Sequence, residues 1–167
     1  GIVVELDIDK DFNKYKEYGP LRGLEFQKDL EKISYYAGGR TQTAPAQRVT
    51  DFVEGKLSTN LNDCSYQPGL KSAPLHSLLP KIIGSRLRKG FKEFGKKMNG
   101  YYTEQANIVG VESRTSSPIN IPRNINLEHI NIKGLFPCGE GGGYAGGIVS
   151  AAMDGERCAE AAIKTLK

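Results

Sequence analysis

The sequence has few of the residues from which metal sites and acid–base catalysts are usually built. It holds three cysteines and two histidines among 167 residues. Cys64, Cys138 and Cys158 lie far apart without a C-x-x-C spacing. They predict neither a zinc site nor a disulfide framework, and they favour a reducing cytoplasm. No Ser–His–Asp set, metal-ligand cluster or paired-carboxylate motif stands out, so the sequence predicts no metal and leaves the catalytic residues unknown.

Long apolar runs are also lacking. No stretch approaches the roughly 20 apolar residues that a membrane-spanning helix requires, and no signal peptide is visible. Apolar residues make up 38% of the chain, which is typical of a soluble globular piece. The length suffices for one domain with a substantial core or for two small ones. Because the chain opens on Gly1 without a methionine, we expect a part of a longer protein.

Positive charge is concentrated in one predicted helix. The net charge is +4, and residues 81–98 hold seven lysines and arginines against Glu93. We interpret this segment as a helix whose solvated basic face lies opposite an apolar side with Leu87 and Phe91. A patch for nucleic acid or an anionic cofactor is the alternative. On this interpretation neither nucleic acid nor membrane is an expected partner.

Glycine, by contrast, is concentrated near the end of the chain. Six of the nine residues 139–147 are glycine. They follow a short apolar run, residues 135–138, which predicts a buried strand. After them, apolar residues recur at spacings of three, four and seven, which predicts a helix: Ile148, Ala152, Ala159, Ile163 and Leu166. We therefore predict a strand, a glycine turn and a closing helix.

Such a turn has a specific physical use. Glycine adopts positive φ without penalty and lets backbone N–H groups approach a ligand, and a helix N-terminus attracts an anion such as a phosphate. Gly141, Gly143 and Gly146 satisfy G-x-G-x-x-G, as a glycine-rich stretch easily does. A self-contained Rossmann site also needs a second strand with an acidic residue about 20 residues further on. The sequence does not predict one, because the helical pattern runs to the end of the chain.

Three stretches resemble signatures of a known family. Residues 134–155, Gly-Leu-Phe-Pro-Cys-Gly-Glu-Gly-Gly-Gly-Tyr-Ala-Gly-Gly-Ile-Val-Ser-Ala-Ala-Met-Asp-Gly, resemble the C-terminal FAD-binding motif of bacterial FAD-dependent dehydrogenases of the two-dinucleotide-binding-domain flavoprotein type. Two further signatures of that family are similar to residues 44–53, Ala-Pro-Ala-Gln-Arg-Val-Thr-Asp-Phe-Val, and residues 110–118, Gly-Val-Glu-Ser-Arg-Thr-Ser-Ser-Pro. The resemblance implies the C-terminal part of a much longer FAD-dependent oxidoreductase, whose N-terminal half grips the ADP moiety.

A domain organisation follows. The pattern changes from helical to strand-like near Gln105, with strands predicted at residues 107–112, 119–121 and 135–138. We expect an α/β fold, more strictly an α+β fragment, with residues 1–105 as part of a substrate or cap domain. Residues 106–167 would form the C-terminal strands and closing helix of a Rossmann-like FAD-binding domain. The full-length protein would bind FAD and an unknown small-molecule substrate, and this chain, without the rest of its parent chain, would bind FAD poorly. A non-enzymatic nucleotide- or partner-binding module is the alternative.

The resemblance also implies flavin-binding positions. They comprise the glycine turn, the first residue of the closing helix and three residues of the segment before Pro118: Gly139, Glu140, Gly141, Gly142, Gly143, Tyr144, Ala145, Gly146, Gly147, Ile148, Arg114, Thr115 and Ser116. Backbone N–H groups of residues 144–148 would approach the pyrimidine end of the flavin, where negative charge develops on reduction.

Several of these residues have two interpretations. Glu140 would accept a hydrogen bond from a ribityl hydroxyl or cap the following helix. Tyr144 would stack or hydrogen-bond near the ring, or fill the turn. Arg114 would hold a carboxylate, phosphate or flavin carbonyl with its donor fork, or pair with Glu112. Cys138 would be a small buried strand residue or a redox thiol.

The first part of the chain carries weaker signals. We predict, in order, a strand (residues 1–8), a helix (20–37), a second short helix (45–54), a loop (56–71) and a helical turn (74–79). Arg48 would face the active-site cleft, or pair with Asp51 or Glu54. His76 would act as an acid–base group, or lie at the surface or packed beside Leu75 and Leu78.

Overall fold

The computed structural model describes residues 1–113 and 117–165 and divides into two compact units. Unit 1 comprises Gly1–Asp11 and Lys28–Ser113, and unit 2 comprises Phe12–Gln27 and the described residues from 117 onward.

The elements in chain order are α1 (Ile8–Asp11), a 3-10 helix (Asn13–Leu21), α2 (Arg22–Ala37), β1 (Ala44–Arg48), α3 (Val49–Glu54), β2 (Leu70–Ser72), α4 (Leu75–Leu78), α5 (Lys81–Lys97), β3 (Asn107–Val109) and α6 (Ile148–Thr165). Helices combined with a small sheet confirm the predicted α/β class. The assignment of residues 1–105 and 106–167 to a substrate and an FAD domain stays a prediction.

A three-stranded sheet organises unit 1. The strand order is β2-β1-β3, with β1 parallel to β2 and antiparallel to β3. The predicted helix from Pro45 is therefore wrong for its first residues. Both Ala46 and Gln47 are fully buried, and β1 is the central strand of the sheet. Pro45 lacks an N–H, but its carbonyl accepts a hydrogen bond from Gly110 at 2.9 Å.

The core of unit 1 lies between α3, α4 and α5. Phe52 and Leu75 are at most 1% exposed, and Phe52 meets Phe91 edge to face with ring centroids 6.0 Å apart. α3 ends at Gly55, as predicted, because φ there is 75° and glycine adopts that conformation without strain. α4 and α5 confirm the helical predictions for these segments. The lysines of α5 lie on its exposed side, as expected for a solvated face.

The N-terminal residues form no strand, so that prediction is wrong. Residues 1–7 have no regular structure, and α1 begins at Ile8. Val3 is 68% exposed, and among the described residues no strand pairs with this β-branched run. α2 confirms the predicted helix, starting at Arg22 and ending before Gly38.

Unit 2 closes with α6, which confirms the predicted final helix. The strands predicted at residues 119–121 and 135–138 are wrong. In this unit the described residues contain one isolated bridge, between Arg123 and His129. The apolar run fails as a buried strand because Leu135 is 41% exposed, Cys138 is exposed and Pro137 has no N–H to donate.

The apolar residues at helical spacing in α6 are not its buried residues. Asp154 and Cys158 are 7% and 3% exposed, whereas Ile148 and Ile163 are 92% and 56% exposed. A Cβ at Gly155 would meet nothing within 4 Å. The reason for the reversal is a buried ion pair, described below. Among the described residues, no helix has both the length and the apolar character to cross a membrane.

Candidate functional site

The glycine turn is a compact series of turns whose conformation requires glycine. φ is 66° at Gly139 and 83° at Gly143, values that residues with a Cβ rarely adopt. Two internal hydrogen bonds close the turn. The N–H of Gly143 donates to the carbonyl of Glu140 at 2.9 Å, and that of Tyr144 donates to the carbonyl of Gly139 at 3.0 Å.

One side of the turn packs on residues 119–121. The N–H of Ile121 donates to the carbonyl of Gly142 at 3.1 Å, and the Asn120 amide donates to the carbonyl of Gly143 at 3.2 Å. A Cβ on Gly143 would lie 2.6 Å from the carbonyl oxygen of Ile119. Backbone therefore approaches backbone too closely for any side chain at this position.

Arg123 and Asp154 bind the backbone at the start of the turn. Their side chains are 11% and 9% exposed, and the two guanidinium nitrogens lie 2.9 and 2.8 Å from the two carboxylate oxygens. Asp154 also accepts the N–H of Gly139 at 2.9 Å. Arg123 Nη1 further donates to the carbonyl of Pro137 at 2.9 Å and lies 3.3 Å from Cys158 Sγ. The start of the turn is thus tied to α6 through one bidentate ion pair.

The ion pair shifts the pKa values of both side chains in the expected directions. The hydrogen bond from Arg123 lowers the pKa of Asp154, desolvation opposes that change, and the Gly139 N–H lowers the pKa further. The hydrogen bond to Asp154 raises the pKa of Arg123. For Cys158, burial raises the pKa of the thiol, with Arg123 acting in the opposite direction. Around neutral pH the pair is therefore charged on both sides.

Tyr144 lies against this cluster. The guanidinium carbon of Arg123 is 3.6 Å from the centroid of the Tyr144 ring, a cation–π contact. The Tyr144 hydroxyl donates to the carbonyl of Ile121 at 2.7 Å. These contacts are the ones expected if Tyr144 fills the turn.

The opposite side of the turn is open. A Cβ on Gly141 or Gly146 would meet nothing within 4 Å. Glu140 is exposed and, within the described ranges, its carboxylate makes no hydrogen bond or ion pair. It does not cap α6, whose first residue is Ile148. The side chain that bonds the backbone at this helix end is Ser150, whose Oγ accepts the N–H of Gly147 at 3.1 Å.

Comparison with known proteins identifies the family. Residues 1–115 match the model of the family described as FAD-dependent protein, C-terminal domain-like. The chain belongs to this family. FAD is thus the cofactor indicated for the full-length protein, whereas the match itself ends before the glycine turn.

A relative shows how much longer such a protein can be. The chain is 44% identical over 148 residues to an uncharacterized protein of Clostridium beijerinckii. The alignment covers 87% of this chain and 28% of that protein. The chain therefore spans less than a third of the length of the curated relative it matches.

For this FAD-dependent C-terminal domain, the predicted site residues fall into two groups. The structure brings residues 139–148 together in one turn and helix start. Arg114, Thr115 and Ser116 lie outside the described residues, so neither their flavin role nor the pairing of Arg114 with Glu112 is tested. Next to them, Ser113 Oγ donates to Glu31 at 2.7 Å.

Two candidates in unit 1 of this domain have structural partners. The Asp51 carboxylate accepts the Ser58 hydroxyl at 2.7 Å, and Arg48 Nε donates to the carbonyl of Asn60 at 3.1 Å. His76 Nδ1 lies 2.8 Å from the amide nitrogen of Gln47, which is fully buried. His76 is therefore packed, as its second interpretation held.

Sequence reasoning missed the Arg123–Asp154 pair. A signal was present, since Asp154 and Cys158 are four residues apart on an alanine-rich helix. Cysteine is often buried, and an aspartate that is buried on the same helix face needs a paired partner. Its partner could not be read from the sequence, because Arg123 is 31 residues away.

Proposed function

We propose that this chain supplies the flavin-facing C-terminal segment of an FAD-dependent oxidoreductase. One observation carries the proposal: in a member of an FAD-dependent family, the glycine turn is held by hydrogen bonds on one side and open on the other. The held side is the Arg123–Asp154 pair with residues 119–121. The open side is the backbone around Gly141 and Gly146.

The open groups fit the chemistry of a flavin. FAD, when bound, supplies two-electron redox chemistry to the enzyme. N–H groups in the first turn of α6 lack intrahelical acceptors and lie at the positive end of the helix dipole. They suit the carbonyl oxygens of the pyrimidine end. The Glu140 carboxylate suits a ribityl hydroxyl, because it is an exposed acceptor at the start of the turn.

The rest of the parent chain is the partner in this proposal. α6 exposes several large apolar side chains: Ile148 (92%), Val149 (72%), Met153 (49%) and Ile163 (56%). A contiguous exposed apolar surface typically marks an interaction site. The relative's additional length provides a segment that could cover it. The ADP-binding half would lie in that part.

The test is FAD binding by the full-length protein with Glu140→Ala. Loss of one hydrogen bond to a charged acceptor costs about 1.4 kcal/mol, so the Kd for FAD should rise roughly tenfold. Flavin fluorescence, titrated with apoprotein, measures the change. Glu156→Ala removes an exposed acid from α6 and should leave the Kd unchanged.

Two results would contradict the proposal. If Glu140→Ala and Glu156→Ala had equal effects, the turn would have no specific role in binding the ribityl chain. If the full-length protein neither carried nor took up a flavin, the non-enzymatic nucleotide- or partner-binding module would be favoured instead.

A further inference from the structure

Two cysteines lie close to the start of the glycine turn. Cys138 directly precedes Gly139 and is exposed, while Cys158 on α6 is 3% exposed. Cys158 Sγ is 3.8 Å from the carbonyl oxygen of Pro137. That oxygen is about 2.8 Å from the next Cα in a trans peptide, which places Cys158 Sγ within about 7 Å of the Cys138 Cα. The Cys138 thiol is also near enough to Cys158 to raise the pKa of the Cys158 thiol.

The Cys158 sulfur thus lies close to the Cys138 backbone, as a disulfide between the two residues requires. Bridged cysteines have Cα atoms about 4.4–6.8 Å apart. A rotation of the exposed Cys138 side chain towards Cys158 can therefore bring the sulfurs together. We propose that Cys138 and Cys158 form a reversible disulfide, which makes the pair a modification site at the base of the glycine turn. The proposal does not depend on the flavin function proposed above.

The two thiols have different roles in the reaction. Cys138 is exposed, so a dissolved oxidant reaches it first. Cys158 is buried, and burial raises the pKa of its thiol, so it stays protonated until it reacts with a neighbour. Arg123 Nη1, 3.3 Å from Cys158 Sγ, stabilises the negative charge that develops on this sulfur when its proton leaves.

With hydrogen peroxide as the oxidant, the steps balance. The Cys138 sulfur, having lost its proton to water, attacks one peroxide oxygen. An S–O bond forms, the O–O bond breaks, and the departing hydroxide becomes water, leaving a sulfenic acid. The Cys158 sulfur then loses its proton to water and attacks the Cys138 sulfur. The S–S bond forms, the S–O bond breaks, and a second water leaves. Two thiols lose two electrons, and one peroxide becomes two waters.

The bond would add a second tie between the turn and α6. Asp154 already binds the N–H of Gly139 at 2.9 Å, and the disulfide would fix the preceding residue as well. Oxidation would therefore restrict the turn, and dithiothreitol would release it.

Peptide mapping tests the proposal on the full-length protein. Trypsin cleaves after Lys133, Arg157 and Lys164, so the two cysteines fall in separate peptides, 134–157 and 158–164. After treatment with hydrogen peroxide and alkylation, we expect these two peptides as one linked species that dithiothreitol separates. Cys64, also exposed, is the matched control, and Cys64→Ala should leave the linked species unchanged.

Two cysteine variants test the order of the two oxidation steps. In Cys158→Ala, we expect dimedone to trap a sulfenic acid on Cys138. In Cys138→Ala, the exposed thiol is absent, and we expect Cys158 to remain unmodified. Either of two findings in the wild-type protein would overturn the proposal: Cys138 oxidised to sulfinic acid with Cys158 still alkylated, or cross-links of Cys138 with any other cysteine. Circular dichroism checks that each variant folds.

Discussion

At the scale of single residues, the Arg123–Asp154 pair decides how unit 2 is built. Both side chains are about nine-tenths buried and share two hydrogen bonds. Removing one partner from such a pair is costly, because the other charge remains buried without compensation. Asp154 additionally binds the backbone of Gly139, so its loss should also loosen the glycine turn.

Asp154→Asn should lower stability in a pH-dependent way. At neutral pH we expect a loss of about 3 kcal/mol in the free energy of unfolding of unit 2. The native pKa of Asp154 is lowered, so the pair's contribution is complete above the ordinary aspartate pKa of about 3.9. It is lost as the pH falls towards the lowered native value, because the unfolded state then binds the extra proton.

The measurement is the difference in Tm between wild type and Asp154→Asn, followed by circular dichroism from about pH 6 to about pH 3. The difference in Tm should become smaller as the pH falls towards about 3. Glu156→Gln changes an exposed acid on the same helix and should show no gap. A gap that stayed constant with pH would mean that the charge of Asp154 contributes nothing.

Two glycines of the turn form a matched pair for a second prediction. Gly143 has φ of 83° and a Cβ there would lie 2.6 Å from the carbonyl oxygen of Ile119, whereas a Cβ on Gly141 would meet nothing. Gly143→Ala should therefore destabilise unit 2 by at least about 1–2 kcal/mol, and Gly141→Ala by less than about 0.5 kcal/mol. Urea unfolding measures both. Equal effects would show that the turn is not packed on residues 119–121.

At the scale of elements, α5 shows how tertiary contacts change the meaning of a glycine. The helix contains Gly84, Gly90 and Gly95, each of which costs helix stability relative to alanine. Gly95 is nevertheless required, because a Cβ there would lie 2.5 Å from the Cβ of Tyr102. At Gly90 the nearest neighbour would be the Phe94 ring at 3.9 Å, an ordinary contact.

Alanine at these two positions should therefore have opposite effects. Gly90→Ala should raise the stability of unit 1 by about 0.5–1 kcal/mol, because it lowers the entropy of the unfolded chain and fits the folded one. Gly95→Ala should lower stability by about 1–3 kcal/mol through overpacking. Thermal unfolding of the two variants beside wild type checks the signs. Stabilisation by Gly95→Ala would contradict the packing of α5 on the loop that follows it.

In α6, tertiary contacts decide which face of the helix is buried. Its apolar periodicity predicts a buried face through Ile148 and Ile163, yet the structure buries Asp154 and Cys158. The helix therefore has one face occupied within unit 2 and an apolar face left exposed. That exposed face suits a partner surface, which in our proposal belongs to the rest of the parent chain.

At the scale of the whole molecule, the chain corresponds to a small part of the length of its relative. It spans 28% of its relative from Clostridium beijerinckii, and in our proposal the rest of the parent chain binds the ADP portion of FAD. We expect the isolated 167-residue chain to be colourless and to bind FAD at least about a hundredfold more weakly than the full-length protein, equivalent to about 2.7 kcal/mol or more.

Calorimetric titration of both proteins with FAD measures this difference. A yellow preparation of the isolated chain, with one flavin per molecule, would contradict the expectation. Flavin mononucleotide is a useful second ligand. It lacks the AMP portion of FAD, so the affinity gap between the two proteins should be smaller for it.

Much of the fold follows from local signals in the sequence. The positions of α2, α5 and α6, the stop at Gly55 and the glycine turn depend on periodicity, helix ends and positive φ, which neighbouring residues determine. The family resemblance likewise resides in contiguous stretches. Tertiary structure alone decided which face of α6 is buried, that Ala44–Arg48 is a strand, and that residues 135–138 are not. These outcomes depend on partners distant in sequence, since Asp154 is buried because Arg123 lies beside it, and β1 is a strand because β2 and β3 flank it.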